Sequence, residues 1–186
     1  MPFALRATGI GYAPRSLKEM SLASEAFTEN VIAFCEWAEG KKHSLLEARQ
    51  RILALMSSIP HLESFRGAIE SDEEHERRGH EGWKEDCERL SDLPFQYYNT
   101  IFDPHDFEEK EKAIVGDLSD DLSDIYGDLF HGLSAYKKGS KREAIGIWVD
   151  SYFYHWGHHA SQALWAIDQF YRNNQGSEPV ATGQRR

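Results

Sequence analysis

Two imidazoles one helical turn apart are the strongest chemical signal in this chain. The run His155-Trp156-Gly157-His158-His159 holds three of its nine histidines. On a helix, residues four apart share a face, so His155 and His159 could hold one ion between them. The preceding segment carries Asp117, Asp120, Asp121, Asp124 and Asp128. Neutral imidazole with carboxylate suits Zn2+, Mn2+ or Fe2+, with positions left over for water or substrate. Such an ion lowers the pKa of its bound water and polarises a carbonyl or phosphoryl group. The candidate ligands are therefore His155, His159, Asp121, Asp124 and Asp117. A zincin protease needs Glu directly after the first His, and Trp156 stands there, so that chemistry is excluded.

These residues sit on two elements of an all-helical pattern. Leu118, Leu122, Ile125, Leu129, Leu133 and Tyr136 form one apolar stripe, capped at the start by Asp117 or Ser119 and ended by Lys137-Lys138-Gly139. The next helix runs from about Arg142 to Arg172, roughly 45 Å at 1.5 Å per residue. The short Lys-Lys-Gly-Ser link makes the two a hairpin. Upstream, a helix from about Leu22 to Glu39 carries Ala23, Phe27, Val31, Phe34 and Ala38 at helical spacing. Ser44 starts another, with Leu45, Ala48, Ile52, Leu55 and Met56, which Pro60 ends. A third stretch, Trp83 to Phe102, is interrupted by Pro94 and closed by Asp103-Pro104. Residues 70–82 are almost without apolar content and read as a solvated loop or an exposed helix end. His75 and His80, five apart within it, share no helix face. No stretch alternates with period two, so no strand is expected. The fold class that follows is all-α: an antiparallel, up-and-down bundle of four to five helices with a long C-terminal helix, over 20–172. Residues 1–19 read as an irregular arm and 173–186 as a disordered tail.

A turn of 100° per residue places the polar groups. With Ile145 at zero, Val149, Trp156, Ala160, Ala163 and Ile167 fall between 0° and about 60°, the core face. His159 lies near 320° and His155 near 280°, on the flank with Trp148, while His158, near 220°, faces water. With Leu118 at zero, Asp121, Asp128, Asp117 and Asp124 lie between about 300° and about 240°. The acidic and histidine flanks share a rotational sense and meet if the bundle has the right hand. A hairpin centred between Lys138 and Gly139 sets His155 level with Leu122 and His159 level with Leu118.

Composition bounds the remaining classes. The chain has 186 residues, 40% hydrophobic, with five Trp, eight Tyr and ten Phe, enough for one domain with a real core. A net charge of −10 argues against nucleic acid, whose phosphates need clustered cations. Met1 to Tyr12 lacks the pattern of a secretory signal, and no stretch approaches a membrane span, so a cytoplasmic protein without a membrane partner is expected. Cys35 and Cys87 read as two free thiols.

The run Val115-Gly-Asp-Leu-Ser-Asp-Asp-Leu-Ser-Asp-Ile-Tyr126 precedes Gly132-Leu133, Ala144, Trp148, Phe153 and His155-Trp156-Gly157-x-His159-Ala160. With Tyr98 and Phe102-Asp-Pro104, these residues resemble a bacterial domain-of-unknown-function family, number 5063. The likeness covers roughly residues 20–172 and is specific in the last third. Tyr154 and Gly146-Ile147 are less polar than the family pattern. The resemblance implies an all-helical bacterial protein. It picks out Asp121, Asp124, Tyr126, Trp148, His155, Trp156, Gly157 and His159, and names no substrate or cofactor.

Two functional readings follow. In the leading one, the chain is a non-catalytic interaction or regulatory module that engages a protein partner or its own copy. Its histidines and aspartates then form a buried structural network, and the Asp run is a cap plus a solvated face. In the other, His155 and His159 with the neighbouring aspartates hold a divalent transition metal, in a binding protein or a metal-dependent enzyme. Trp148, Tyr126 and Trp156 are core aromatics in the first reading and candidates for a pocket wall in the second.

Overall fold

Gly139, at φ +97°, turns the chain back on itself and fixes the pair of helices on which everything else is built. In a computed structural model, which describes residues 17–68, 74–101, 105 and 113–174, α1 spans Leu17–Ala38, α2 Leu45–Ser58 and α3 His80–Leu90. Strands β1 (Tyr97–Thr100) and β2 (Ile114–Asp117) follow. Helix α4 is Leu118–Lys137, α5 is Lys141–Ser151 and α6 is Gly157–Asn173. Tyr152–Trp156 forms a π-helical turn that joins α5 to α6 in one long C-terminal rod. The fold is the expected helical bundle, with α4 at its centre against α1, α3, α5 and α6.

The apolar stripes are the core. Phe27, Val31, Phe34 and Ala38 of α1, Leu45, Ala48, Ile52 and Leu55 of α2, and Leu118, Leu122, Ile125 and Leu129 of α4 are buried together. Ser44 caps α2, accepting from the Glu47 N–H at 3.2 Å. Asp117 caps α4: its Oδ1 accepts from the N–H of Ser119 at 2.9 Å and of Asp120 at 3.4 Å.

Several expectations need correction. Helix α1 starts at Leu17, five residues before the expected Leu22. The third helix is His80–Leu90, and Tyr97–Thr100, expected within it, is instead a strand paired antiparallel with Ile114–Asp117. Four-residue strands are too short to display an alternation, and Pro94 takes the chain out of helical geometry before them. Segment 74–79 is not a solvated loop throughout. His75 is buried, with Nε2 3.3 Å from Oε1 of Glu143. The Glu74 carbonyl accepts from Lys138 Nζ at 2.9 Å, tying this segment to the end of α4. The expected arm at residues 1–16, the Asp103-Pro104 stop and the tail at 175–186 lie outside the described residues. No helix among the described residues is long and apolar enough to cross a membrane. Both cysteines are free.

Candidate metal centre

Helix α4 presents Asp117, Asp121, Asp124 and Asp128 along one side, at spacings of four, three and four. The rod opposite presents His155 from the π turn and His159 from the first turn of α6. These groups meet. His155 Nδ1 lies 3.0 Å from Asp128 Oδ2, and His159 Nδ1 lies 2.9 Å from Asp121 Oδ1. The second nitrogen of His159, Nε2, is 3.4 Å from Asp124 Oδ2. One ligand atom from each of Asp124, His155 and His159 falls within 4.8 Å of the other two. The imidazole centroids are 4.9 Å apart at 68°.

A second layer braces these ligands. Tyr98, from β1, donates its hydroxyl to Asp121 Oδ2. It reaches there because its ring lies against Gly116, its β2 partner; a Cβ at Gly116 would overlap the ring and sit 2.8 Å from the hydroxyl. Gly116, read from sequence as a simple break before α4, is therefore a seat for an aromatic ring. The Asp121 side chain is only 4% exposed and receives both Tyr98 and His159. Each histidine so donates Nδ1–H to a carboxylate, which orients the ring as around a metal-ligating imidazole. Asp124 beside Nε2 of His159 favours the protonated ring, a proton that an ion bound there would displace.

The π turn is local in origin. The Gly157 N–H reaches the carbonyl of Tyr152, five residues back. A Cβ at Gly157 would crowd that carbonyl and stand 2.8 Å from the Tyr152 ring. Glycine, which a continuous helix would disfavour, is what the turn requires.

Of the candidate ligands, His155, His159, Asp121 and Asp124 come together. Asp117 does not join them: its carboxylate is committed to the cap, where it also accepts from Ser119 Oγ at 2.7 Å. His158 is exposed, as the helical wheel places it, with Nε2 2.8 Å from the Gln162 amide nitrogen. The expected register is corrected. His155 is level with Asp128 and not Leu122, and His159 with Asp121 and Asp124 and not Leu118. Side chains lean toward the N-terminus of their own helix, so in this antiparallel pair the histidines reach toward the hairpin and the aspartates away from it. Both tilts move each contact along α4 toward Gly139.

The aromatic candidates do not line the cleft beside the histidines. Trp148 and Trp156 are fully buried, their Nε1–H groups donating to the Leu129 carbonyl at 2.8 Å and the Trp148 carbonyl at 2.9 Å. Tyr126 is buried and donates to Glu39 Oε1 at 2.8 Å. The cleft, about 160 Å³, is walled by Arg77, Arg78 and Trp83 on one side and by Asp124, Asp128, His131 and His155 on the other.

A family model described as a domain of unknown function, DUF5063, matches residues 19–172. The chain belongs to the DUF5063 family. No curated protein matches its sequence. Among solved structures it is similar to protein BF1032 from Bacteroides fragilis, with 16% identity and a TM-score of 0.64, over 86% of this chain and 96% of that one. At that identity the likeness carries the fold and nothing of the chemistry.

In this DUF5063 chain the centre is strongly electronegative. Burial, then the charges of its acidic neighbours, raises the Asp120 carboxyl above the usual range. Burial raises Asp124 against the opposing pull of His159 and His155. The Asp128 hydrogen bond raises His155. For His159, burial pulls downward, but the Asp121 hydrogen bond and the Asp124 charge outweigh it and the pKa is raised. The two carboxyls gain by a nearby positive charge, whereas the two imidazoles favour their own protonated forms, and a metal ion would have to displace those protons.

His131, which lines the same cleft one helical turn beyond Asp128, behaves oppositely. Burial, helped by Arg77 and His75 against Asp128 and Glu143, pushes it down to about 4. Below the ordinary value of about 6.5 the unfolded chain takes up this proton while the folded chain resists. His131 therefore contributes stability that is present above about pH 6.5 and lost as the pH falls toward about 4. Thermal melts across that window should decline for the native chain and flatten for His131→Gln; equal slopes would refute the assignment.

Sequence reasoning missed Tyr98, Arg77, Arg78 and His131 as site residues, and left Asp128 without a partner. Tyr98 is among the residues that carry the family resemblance, which is the signal that could have found it. The arginines lie far away in sequence, on the segment entering α3.

Proposed function

We propose that this protein binds a divalent transition metal (Zn2+, Mn2+ or Fe2+) through His155, His159 and Asp124. The observation that carries the reading is the convergence of one ligand atom from each of the three residues within 4.8 Å, with a nitrogen of each imidazole also resting on a carboxylate of α4. Metal–ligand bonds of about 2.0–2.2 Å at tetrahedral to octahedral angles give ligand-to-ligand edges of roughly 3–3.5 Å. The 3.4 Å between His159 Nε2 and Asp124 Oδ2 matches such an edge. The wider spread to 4.8 Å would close through a small side-chain rotation of His155, which is half exposed and can turn about its contact with Asp128. Two histidines and one carboxylate leave coordination positions for water or substrate. When bound, the ion supplies Lewis acidity and a water of lowered pKa. The chain's own residues orient it: Asp121 and Asp128 hold the imidazoles, and Tyr98 holds Asp121.

A purely structural network is the competing reading, and an interaction module would go with it. Exposed Tyr97, Ile101, Val115 and Trp165 on the hairpin side support that view. The close approach of His155, His159 and Asp124 to one another supports the metal reading over it. Elemental analysis of protein purified without a histidine tag separates the two. The metal reading expects close to one equivalent of one transition metal, lost on dialysis against chelator and regained from solution. Less than about a tenth of an equivalent, with no uptake on titration, would sink it.

A further inference from the structure

The cleft beside the metal centre has walls of opposite character. One is the ligand wall, with Asp124, Asp128 and His155; facing it across about 160 Å³ are two arginines. Arg78 is held rigidly: Nε and Nη2 each sit 2.9 Å from an oxygen of Asp86, and Nη2 also donates to the Gly82 carbonyl at 3.1 Å. Asp86 is fully buried and is shared with Arg89, whose Nη2 lies 2.5 Å away. One buried carboxylate thus serves two guanidinium groups, and the exposed Glu85 adds only a looser partner, 3.8 Å from Arg78 Nη2. Arg77 is exposed at the rim. The arrangement is a guanidinium held on buried Asp86, an exposed one at the rim and, lining the same cleft, Asp124 and His155, two of the three proposed metal ligands.

Resting on the metal reading above, we propose that this cleft binds a phosphate group, bridging the metal bound at His155, His159 and Asp124 and the guanidinium groups of Arg77 and Arg78. Phosphate is a tetrahedral, multiply charged oxyanion. It can place one oxygen on a divalent ion and turn others toward guanidinium donors on the opposite wall, whereas a carboxylate has only one plane of acceptors. The cleft, about 160 Å³ and open to solvent, has room for a phosphate with a few attached atoms. His131, kept neutral at physiological pH, presents a hydrogen-bonding ring there without adding charge. Without the ion, Asp121, Asp124 and Asp128 repel an anion, so phosphate binding depends on the metal. By linkage, phosphate in turn tightens the metal.

The test uses the full chain loaded with Mn2+, whose unpaired electrons broaden the phosphorus resonance of any phosphate held next to it. Inorganic phosphate should show saturable broadening that chelator abolishes. Arg77→Gln, at an exposed position that does not threaten folding, should weaken phosphate about tenfold and leave Mn2+ stoichiometry unchanged. Arg77→Lys should fall between. Phenyl phosphate, added as competitor, distinguishes the sources: displacement of inorganic phosphate marks a phosphate ester as a ligand, and no displacement confines the site to the free ion. Normal Mn2+ binding without phosphate broadening, or with broadening indifferent to Arg77→Gln, overturns the proposal and spares the metal centre. Acetate competing as well as phosphate overturns it too. No Mn2+ uptake at all overturns both.

Discussion

His159→Ala should reduce transition-metal affinity at least about hundredfold, while His158→Ala leaves it unchanged. The two residues are neighbours in sequence and share every bulk property, so the contrast isolates geometry. In the proposed centre His159 would offer Nε2 to the ion; its Nδ1 lies 2.9 Å from Asp121 Oδ1, and the side chain is only 19% exposed. Removing it deletes one of three protein ligands; losing an outer-layer partner alone typically costs 10–100-fold in affinity, so a ligand costs more. His158 points to solvent and touches Gln162. The same variant should also lower stability without metal. Asp121 would keep Tyr98 but lose the imidazole, leaving a buried carboxylate short of one donor, at a cost of about 1–3 kcal/mol. Titration with Zn2+ or Mn2+ and thermal melts of the stripped proteins read the two effects separately. A destabilised His159→Ala with no metal bound by either the variant or the native chain would establish a structural network only.

Gly132→Ala should be among the most damaging single substitutions in the bundle. The Trp148 indole crosses α4 at this point: a Cβ at Gly132 would overlap it, with Cδ1 at 2.5 Å. Trp148 cannot move aside, because it is fully buried, packs edge-on against Phe27 at 5.7 Å, and donates Nε1–H to the Leu129 carbonyl. Overpacking costs about 1–3 kcal/mol and breaking the buried hydrogen bond about 1–3 more. Helix propensity returns about 1 kcal/mol. The net loss of about 1–5 kcal/mol lowers Tm by about 2–20 °C in a chain of this size. Gly127→Ala on the same helix is the control. Nothing lies within 4 Å of its Cβ, so it should be neutral or stabilising by up to about 1 kcal/mol. Equal melts for the two variants would show that the close approach of Trp148 is not obligatory.

Both predictions turn on how two helices face each other, and there the sequence was least informative. Periodicity did identify α4: Leu118, Leu122, Ile125 and Leu129 are spaced for one face and all are buried. It identified the hairpin, because Gly139 and a short polar link leave no other geometry. It separated His158 from His159, since 100° per residue turns one outward when its neighbour faces in. It could not see the strands, because Tyr97–Thr100 and Ile114–Asp117 are stabilised by pairing across the intervening residues and not by a local pattern. With the strands went Tyr98, the brace on Asp121. Nor could it see the π turn, in which one extra residue is accommodated without breaking the rod.

The order of apolar and polar residues along each helix, with the turn residues between them, was sufficient by itself for an all-helical bundle and for the shared face of His155 and His159. Those are short-range properties of a chain with 3.6 residues per turn. Which aspartate meets which histidine, that Asp117 is spent on a cap, and that two arginines from the entry to α3 close the cleft were decided only by packing. Contacts between distant segments depend on the hand, tilt and register of whole helices, and no local run of residues encodes those.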